Sequence, residues 1–152
     1  MIRIIFLTMV IAFSHTVKAD TSIDSRAIKR AVLDYIEAQQ KVDPNLMRRG
    51  LDVTLAKRTY WESKEGTEYI LETDFDTMIK VAETYNIDGK KFPKKPKIEI
   101  NVFDIDNRVA SVKLTVDDWI DYMHLYKTDD HQWKIINVLW QYNDIKKHSS
   151  KR

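Results

Sequence analysis

Apolar residues recur at helical spacing in the first part of the chain and alternate with polar residues in the second part. Ile28, Val32, Tyr35 and Ile36 are spaced three or four positions apart. This spacing predicts an amphipathic helix over residues 22–40, with these side chains on its buried face.

Two further helices are indicated by their ends and by their apolar residues. Pro44 predicts the start of a short helix, because its missing N–H group would be unpaired in the first turn in any case. Gly50 fits the end of that helix. A third helix is predicted over residues 74–85, where Phe75 and Tyr85 bound an apolar stripe.

Period-two alternation predicts strands over residues 53–61, 69–71, 97–104, 109–116, 119–127 and 133–142. The connections between the last four strands are short, which favours antiparallel neighbours. Helices that are grouped before a sheet indicate an α+β fold, in which the helices pack on one face of the sheet.

The last predicted hairpin carries large apolar residues on both faces. Strict alternation places Asp121 on one face together with Asn137. It places Tyr122, His124 and Trp140 on the other face. Because the helices can cover only one face, we expect a homodimer through the outer sheet face. A groove for a peptide or a ligand on that face is the alternative.

Residues 1–19 have the pattern of a secretory signal peptide. Arg3 gives a positive start, residues 4–13 are almost wholly apolar, and Ala19 ends a segment suited to a signal peptidase. The alternative is an uncleaved anchor, but the apolar run is shorter than the ~20 residues that span a bilayer. We therefore expect export to the bacterial periplasm or secretion, with no integral membrane segment after cleavage.

Length and composition indicate a single folded domain. A chain of 152 residues with 43% hydrophobic content is long and apolar enough for one core, which we expect over residues 20–145, followed by a basic flexible tail over residues 146–152. The sequence has no cysteine and no glycine-rich phosphate-binding spacing, so we expect no cofactor and no metal. The formal net charge of +2 equals the charge of Arg3 and Lys18 in the predicted signal peptide, so the remaining chain has a formal charge of zero. A nucleic-acid partner is therefore not expected, because such a protein would carry an excess of basic residues.

The loop before the last four strands is rich in lysine, at positions 90, 91, 94, 95 and 97. Such a cluster suits an anionic ligand or a lipid surface. An ordinary solvated loop is the preferred interpretation, because Pro93 and Pro96 interrupt any continuous basic stripe.

Three segments together resemble one known family: LAKR at 55–58, WIDYMHL at 119–125 and WKIINVLW at 133–140. Over about residues 23–143 the chain is similar to the putative lumazine-binding family of the nuclear-transport-factor-2-like, or SnoaL-like, superfamily. The resemblance implies a cone, in which a curved antiparallel sheet wraps around N-terminal helices and encloses a pocket (a cystatin-like or SnoaL-like roll). It also implies dimerisation through the outer sheet face, as in many members.

The resemblance implies a pocket without specifying a reaction, because the superfamily contains isomerases, dehydratases and non-catalytic binding proteins. One difference concerns proton transfer. Similar sequences carry a His-Pro pair just before the LAKR segment, where this chain has Asp52 and Val53. A catalytic role of that histidine therefore cannot be transferred to this chain.

Asp121 is the candidate catalytic residue, as a lone acid between apolar positions of a strand. A carboxylate in an enclosed pocket can act as a general base. The alternative is a structural acid that is held by backbone amides or by Arg58.

The candidate ligand-binding residues are polar or aromatic side chains of the strands: Arg58, Tyr60, Trp61, Tyr122, His124, Asn137 and Trp140. Arg58 and its neighbour Lys57 point to opposite sides of their strand, and one of them could bind an anionic group of a ligand. Arg58 is preferred because of its planar guanidinium group. The tyrosine and tryptophan rings suit stacking on a flat heterocycle. The alternative for these rings is an ordinary core or interface role, and for His124 it is the dimer interface.

The expected function is that of an exported small-molecule-binding protein, which holds an apolar or aromatic ligand in the pocket with no defined reaction. One alternative is a cofactor-independent isomerase or dehydratase with Asp121 as the general base. Another is a non-catalytic protein-interaction module that uses the outer sheet face.

Overall fold

A computed structural model describes residues 18–151, and the predicted signal peptide lies outside these residues except at its last two positions. The described helices are α1 (Lys18–Lys41), α2 (Pro44–Gly50), α3 (Phe75–Thr84) and the short 3₁₀ helix η1 (Ile145–Lys147). The described strands are β1 (Leu51–Glu62), β2 (Glu68–Thr73), β3 (Ile98–Asp106), β4 (Val109–Val116), β5 (Trp119–Lys127) and β6 (Trp133–Tyr142). Among the described helices, none combines the length and the hydropathy that a membrane span requires.

The six strands form one sheet in the order β2-β1-β6-β5-β4-β3. The last four strands pair as antiparallel neighbours, and β1 joins them through a parallel pairing with β6. Bulges in β1, β3 and β6 bend the sheet around the helices. The predicted α+β fold, with a curved sheet and N-terminal helices, is therefore confirmed.

Helices α2 and α3 begin where the sequence predicts, because side chains cap their first amides, whereas α1 begins at Lys18, four residues before its predicted start. The Asp43 carboxylate accepts the Asn45 N–H at 2.9 Å, and the Asp74 carboxylate accepts the Thr77 N–H at 2.9 Å. Such caps satisfy amides that lack a partner within the helix.

The core lies between α1 and the inner face of the sheet. The predicted stripe of Ile28, Val32, Tyr35 and Ile36 is at most 1% exposed. It packs against apolar residues of the sheet that are also at most 1% exposed: Val112, Leu114, Met123, Leu125, Ile135 and Val138.

A bulge at Ile136 changes which residues of β6 face the helices. His124 pairs with Asn137 and Leu125 pairs with Ile135, so the bulged residue has no partner of its own. The residues that follow it are shifted by one position relative to strict alternation.

Because of this shift, Val138 and Trp140 face inward, whereas Asn137 and Leu139 face outward. The expectation that Asn137 shares a face with Asp121 is therefore wrong. The expectation that Trp140 shares a face with Tyr122 and His124 is wrong for the same reason.

The outer face of the sheet remains uncovered by the residues that the structure describes. Large apolar side chains project from it, with Phe103, Val109 and Leu139 each nearly 60% exposed and Tyr122 46% exposed. The homodimer through this face stays a prediction.

Residues that follow β6 pack against the edge of β1, where the sequence predicts a flexible tail. Glu62 donates its N–H to the His148 carbonyl and accepts the Ser150 N–H, both at 2.9 Å. The side chain of His148 is buried, because the residue is only 3% exposed. In the structure this segment therefore extends the hydrogen bonding of β1.

Candidate functional site

A pocket of about 190 Å³ lies between α1, α3 and the inner face of the sheet. Its walls are mainly aromatic and apolar, and one lysine enters it from β1. Such a composition, with few polar groups among apolar walls, is typical of small-molecule sites. The lining residues are Tyr35, Gln39, Lys57, Thr73, Thr77, Met78, Val81, Tyr85, Trp119, Trp140 and Tyr142.

A buried ion pair forms the floor of this pocket. The Lys57 Nζ lies 2.9 Å from Asp121 Oδ1 and donates to the Tyr35 hydroxyl at 2.8 Å. Lys57 is 8% exposed and Asp121 is 0% exposed. The pair joins β1 to β5 across β6, and the tyrosine connects it to α1.

Both oxygens of the Asp121 carboxylate accept hydrogen bonds. Oδ1 accepts from Lys57 and, at 3.4 Å, from the Tyr35 hydroxyl, while Oδ2 accepts from the Trp119 Nε1–H at 2.9 Å. The carboxylate is thus compensated in charge and hydrogen bonding, as a buried charge must be.

Burial and the neighbouring charge set the protonation of the other two groups. Burial raises the pKa of the Tyr35 phenol well above its usual value, and the charge of Asp121 raises it further. The phenol therefore keeps its proton. Burial lowers the pKa of Lys57, whereas the charge of Asp121 opposes that lowering.

Inside the pocket, the ammonium group of Lys57 lies against the ring of Trp140. The Lys57 Nζ lies 4.7 Å from the centroid of the Trp140 ring, which is a cation–π distance. The Trp140 Nε1 atom is buried and has no hydrogen-bond partner among the described residues. An N–H group of this kind suits a hydrogen-bond acceptor of a bound molecule.

The structure brings two of the predicted site residues together here, since Trp140 lines the pocket and Asp121 lies behind the lining, in contact with Lys57. Arg58 lies on the opposite side of β1, where its Nε donates to Glu72 at 2.9 Å. Its neighbour Lys57 enters the pocket in its place and contacts Asp121.

Tyr60 and Trp61 lie outside the pocket lining and contact the segment after β6. The Tyr60 ring stacks on His148 with 4.5 Å between centroids. The Trp61 Nε1–H donates to the Ser150 hydroxyl at 2.9 Å. These two aromatic residues therefore hold the C-terminal segment against the sheet.

Tyr122, His124 and Asn137 lie on the outer sheet face. Asn137 Nδ2 and His124 Nδ1 are 3.1 Å apart, and the Tyr122 ring lies 6.3 Å from Phe103. These three residues do not line the pocket. Tyr122 and His124 are exposed at the sheet surface, and Asn137 is half-buried there.

Asp52, which stands where similar sequences have histidine, is also outside the pocket lining. Its carboxylate accepts the Thr54 N–H at 2.8 Å and the Tyr126 hydroxyl at 2.5 Å. Over residues 18–151 no group of three or more histidine or acidic side chains is placed to hold a metal ion.

Tyr35 and Trp119 were not among the residues proposed from the sequence, and Lys57 was considered only as the alternative to Arg58. Alternation indicates that Lys57 and Arg58 point to opposite sides of β1, and the structure shows that the lysine, not the preferred arginine, is the inward one. Tyr35 is part of the apolar stripe of α1, and nothing in its spacing distinguishes it from a core residue.

Comparison with known proteins agrees with this fold. The family model described as Putative lumazine-binding matches residues 23–141. No curated protein matches the chain.

Solved structures with the same fold include two nuclear-transport-factor-2-like proteins of unknown function. The protein from Silicibacter pomeroyi has a TM-score of 0.65 and 18% identity, over 81% of this chain and 98% of that chain. The protein from Shewanella baltica has a TM-score of 0.61 and 16% identity, over 85% and 98%. A ketosteroid isomerase-like protein from Erwinia carotovora atroseptica has a TM-score of 0.50 and 12% identity, over 78% and 95%.

Proposed function

The chain belongs to the Putative lumazine-binding family of the nuclear-transport-factor-2-like fold, and from this we propose that it binds a small apolar or aromatic molecule in its pocket without transforming it. The aromatic and apolar walls suit the body of such a ligand. The cation–π contact of Lys57 and the unpartnered Trp140 Nε1–H supply the few polar features that would orient it.

The observation that carries this proposal is the complete use of the Asp121 carboxylate, which lies directly behind the lining residues of the pocket. Asp121 is 0% exposed, and Lys57, Tyr35 and Trp119 donate hydrogen bonds to its two oxygens. No described residue of the pocket lining carries a carboxylate. A general base must reach the proton that it removes, so binding fits this site better than proton transfer by Asp121.

A neutral bicyclic probe, N-phenyl-1-naphthylamine, tests the pocket by fluorescence titration. We expect saturable binding at one site per chain. Thr77→Trp places a large side chain in the lining from an exposed position of α3 and should weaken binding at least tenfold. Glu83→Trp, at an exposed position of the same helix outside the lining, is the matched control.

Absence of saturable binding would refute the proposed function. Equal loss of binding in the two tryptophan variants would show that the probe binds elsewhere on the protein, which would also refute it. Small molecules extracted from protein purified from its native host can then be identified by mass spectrometry.

The protein is further proposed to act as a dimer. The exposed apolar side chains of Phe103, Tyr122 and Leu139 lie on one face of the sheet, and a second copy would bury them. The same face would serve a different partner if the protein were a non-catalytic interaction module, so the oligomeric state separates the two possibilities.

Export is also part of the proposal and rests on the sequence of residues 1–19. Expression of the full chain in a bacterium, followed by intact mass measurement of the periplasmic fraction, tests it. We expect a chain that begins at residue 20. Recovery of only the full-length mass in the cytoplasm would contradict export.

A further inference from the structure

A second cleft opens beside the pocket and shares part of its wall. Tyr85, Trp119 and Tyr142 line both spaces, so the two adjoin along these three rings. The cleft has a volume of about 430 Å³. Its other walls come from the lysine-rich loop and from the charged residues around β5, and we call it the lysine cleft after Lys90 and Lys91.

The loop that carries these lysines is anchored to the core. Phe92 is only 8% exposed, and its ring lies 6.0 Å from Tyr85 and 5.8 Å from Trp119. The Lys91 N–H donates to Asn86 Oδ1 at 2.9 Å. The two lysines are therefore held beside the aromatic pocket, although the sequence alone favours a simple solvated loop.

The acidic residues of the cleft are already engaged. The Asp118 carboxylate pairs with Lys147 at 2.8 Å, and the Asp117 carboxylate accepts the Lys97 N–H at 3.1 Å. Among the described residues, no carboxylate pairs with Lys90 or Lys91. The backbone amide leaves the charge of Asp117 in place, so the three lysines of the lining exceed its two aspartates by one positive charge, and neither Lys90 nor Lys91 is held in an ion pair.

The lysine inside the pocket cannot serve the same purpose, because Asp121 neutralises the charge of Lys57. An anionic group would therefore gain little from the pocket floor and more from the cleft. Lys91 also lies against a shared wall, since its Nζ is 5.7 Å from the centroid of the Tyr85 ring.

We propose that the ligand of the pocket carries one anionic group, a carboxylate, sulfonate or phosphate, and that Lys90 and Lys91 bind this group while the apolar body lies in the pocket. The inference rests on the proposed function and adds the charge of the ligand to it. It assigns the lysine-rich loop a role in ligand recognition.

A matched pair of probes tests the inference. N-phenyl-1-naphthylamine and 8-anilino-1-naphthalenesulfonate share an anilinonaphthalene body, and only the second carries a sulfonate. At low salt we expect the sulfonate probe to bind about tenfold more tightly, as one hydrogen bond to a charged group allows. The preference should shrink as salt is added.

Variants then locate the anionic site. The double variant Lys90→Gln with Lys91→Gln should abolish the preference for the sulfonate and leave the affinity for the neutral probe unchanged. The double variant Lys94→Gln with Lys95→Gln removes the same charge from the same loop outside the lining of the cleft. We expect this control to keep most of the preference.

The outcomes separate the two proposals. If the neutral probe binds and the sulfonate brings no gain, the inference is overturned while the proposed function stands. Equal losses in the two double variants also overturn it, because the attraction would then come from the overall charge of the loop. If neither probe binds saturably, both proposals fail.

Discussion

Lys57 and Asp121 form a buried ion pair across two strands that are not neighbours in the sheet. The Nζ and Oδ1 atoms are 2.9 Å apart, and β6 lies between the two strands. The hydroxyl of Tyr35 contacts both groups, so the pair connects the sheet to α1 as well. The same arrangement closes the floor of the pocket and stabilises the fold around it.

Replacement of Lys57 by methionine is expected to lower the free energy of unfolding by about 3–5 kcal/mol, because it leaves the charge of Asp121 buried without a partner. Arg58→Met is the matched control. Its ion pair with Glu72 is exposed, and the loss should be about 1 kcal/mol or less. Urea denaturation measures both variants.

Adding Asp121→Asn to Lys57→Met removes the uncompensated charge. The double variant should therefore lose less stability than the sum of the two single variants. Additive losses, or equal losses in Lys57→Met and Arg58→Met, would contradict the role assigned to this ion pair.

The sequence predicts the helices and most of the sheet, because the spacing of apolar residues along the chain indicates which side of each helix or strand is buried. The stripe of α1 is buried as the spacing of Ile28, Val32 and Ile36 indicates. The bulge at Ile136 could not be predicted in this way, since one inserted residue leaves an alternating sequence on both sides. Only the pairing of β6 with β5 shows that the residues facing inward change from odd-numbered positions before Ile136 to even-numbered positions after it.

The candidate site was predictable in part for a similar reason. Asp121 stands out because it is an acid among apolar residues, and it does contact Lys57 of the pocket lining. Alternation could not decide whether Lys57 or Arg58 points inward, because that depends on which side of β1 the helices cover. His148 becomes buried through contacts with Tyr60, which is far away in the sequence.

Gly50 is expected to tolerate no larger residue, because α2 ends close to α1. A Cβ atom at this position would lie 2.8 Å from the Ala31 carbonyl oxygen and 3.3 Å from Asp34 Cβ. We expect Gly50→Ala to cost about 1–3 kcal/mol of unfolding free energy, which is typical of overpacking. Thermal and urea denaturation measure the loss.

Arg48→Ala in the same short helix provides the control, since Arg48 is exposed and its removal should change stability by about 0.5 kcal/mol or less. A Gly50→Ala protein as stable as the unmodified chain would show that the helices can separate at no cost. The close approach would then contribute nothing to the fold.

The dimer is tested by placing a charge on the outer sheet face. Leu139 is 58% exposed there, and Leu139→Glu would bring two like charges into an apolar interface between copies. We expect the unmodified protein to be a dimer in light scattering and the variant to be a folded monomer. Circular dichroism checks that the fold is kept.

Ile87→Glu is the control for this experiment, because Ile87 is 75% exposed and follows α3, outside the sheet. It should leave the dimer intact. A monomeric unmodified protein at micromolar concentration would remove the explanation given for the apolar outer face.

His148 is expected to make stability depend on pH between about 5 and 7. Its Nε2 accepts the Tyr142 N–H at 2.6 Å, and its Nδ1 lies 3.0 Å from the Tyr60 carbonyl oxygen, where it can donate. This geometry requires a neutral ring with its proton on Nδ1. Burial accordingly lowers the pKa of His148 from its usual 6.5.

The sign of the effect follows from proton binding in the two states. Below pH 6.5 the histidine of the unfolded chain binds a proton more readily than the buried one does. The contribution of His148 to stability is therefore present above pH 6.5 and is lost as the pH falls through the lowered pKa. Two acids with lowered pKa values, Asp24 and Asp52, titrate below 3.8 and therefore outside this range.

Urea denaturation at several pH values between 7.5 and 5.0 measures this dependence for the unmodified protein and for His148→Gln. The variant should be less stable at pH 7.5 and should lose little further stability on acidification, because glutamine does not titrate. Release of the C-terminal segment in the acidified protein should also expose Trp61, whose Nε1–H bonds to Ser150 at 2.9 Å, and red-shift its fluorescence. Parallel stability curves for the two proteins would mean that another group causes the pH dependence and that His148 does not control the docking of this segment.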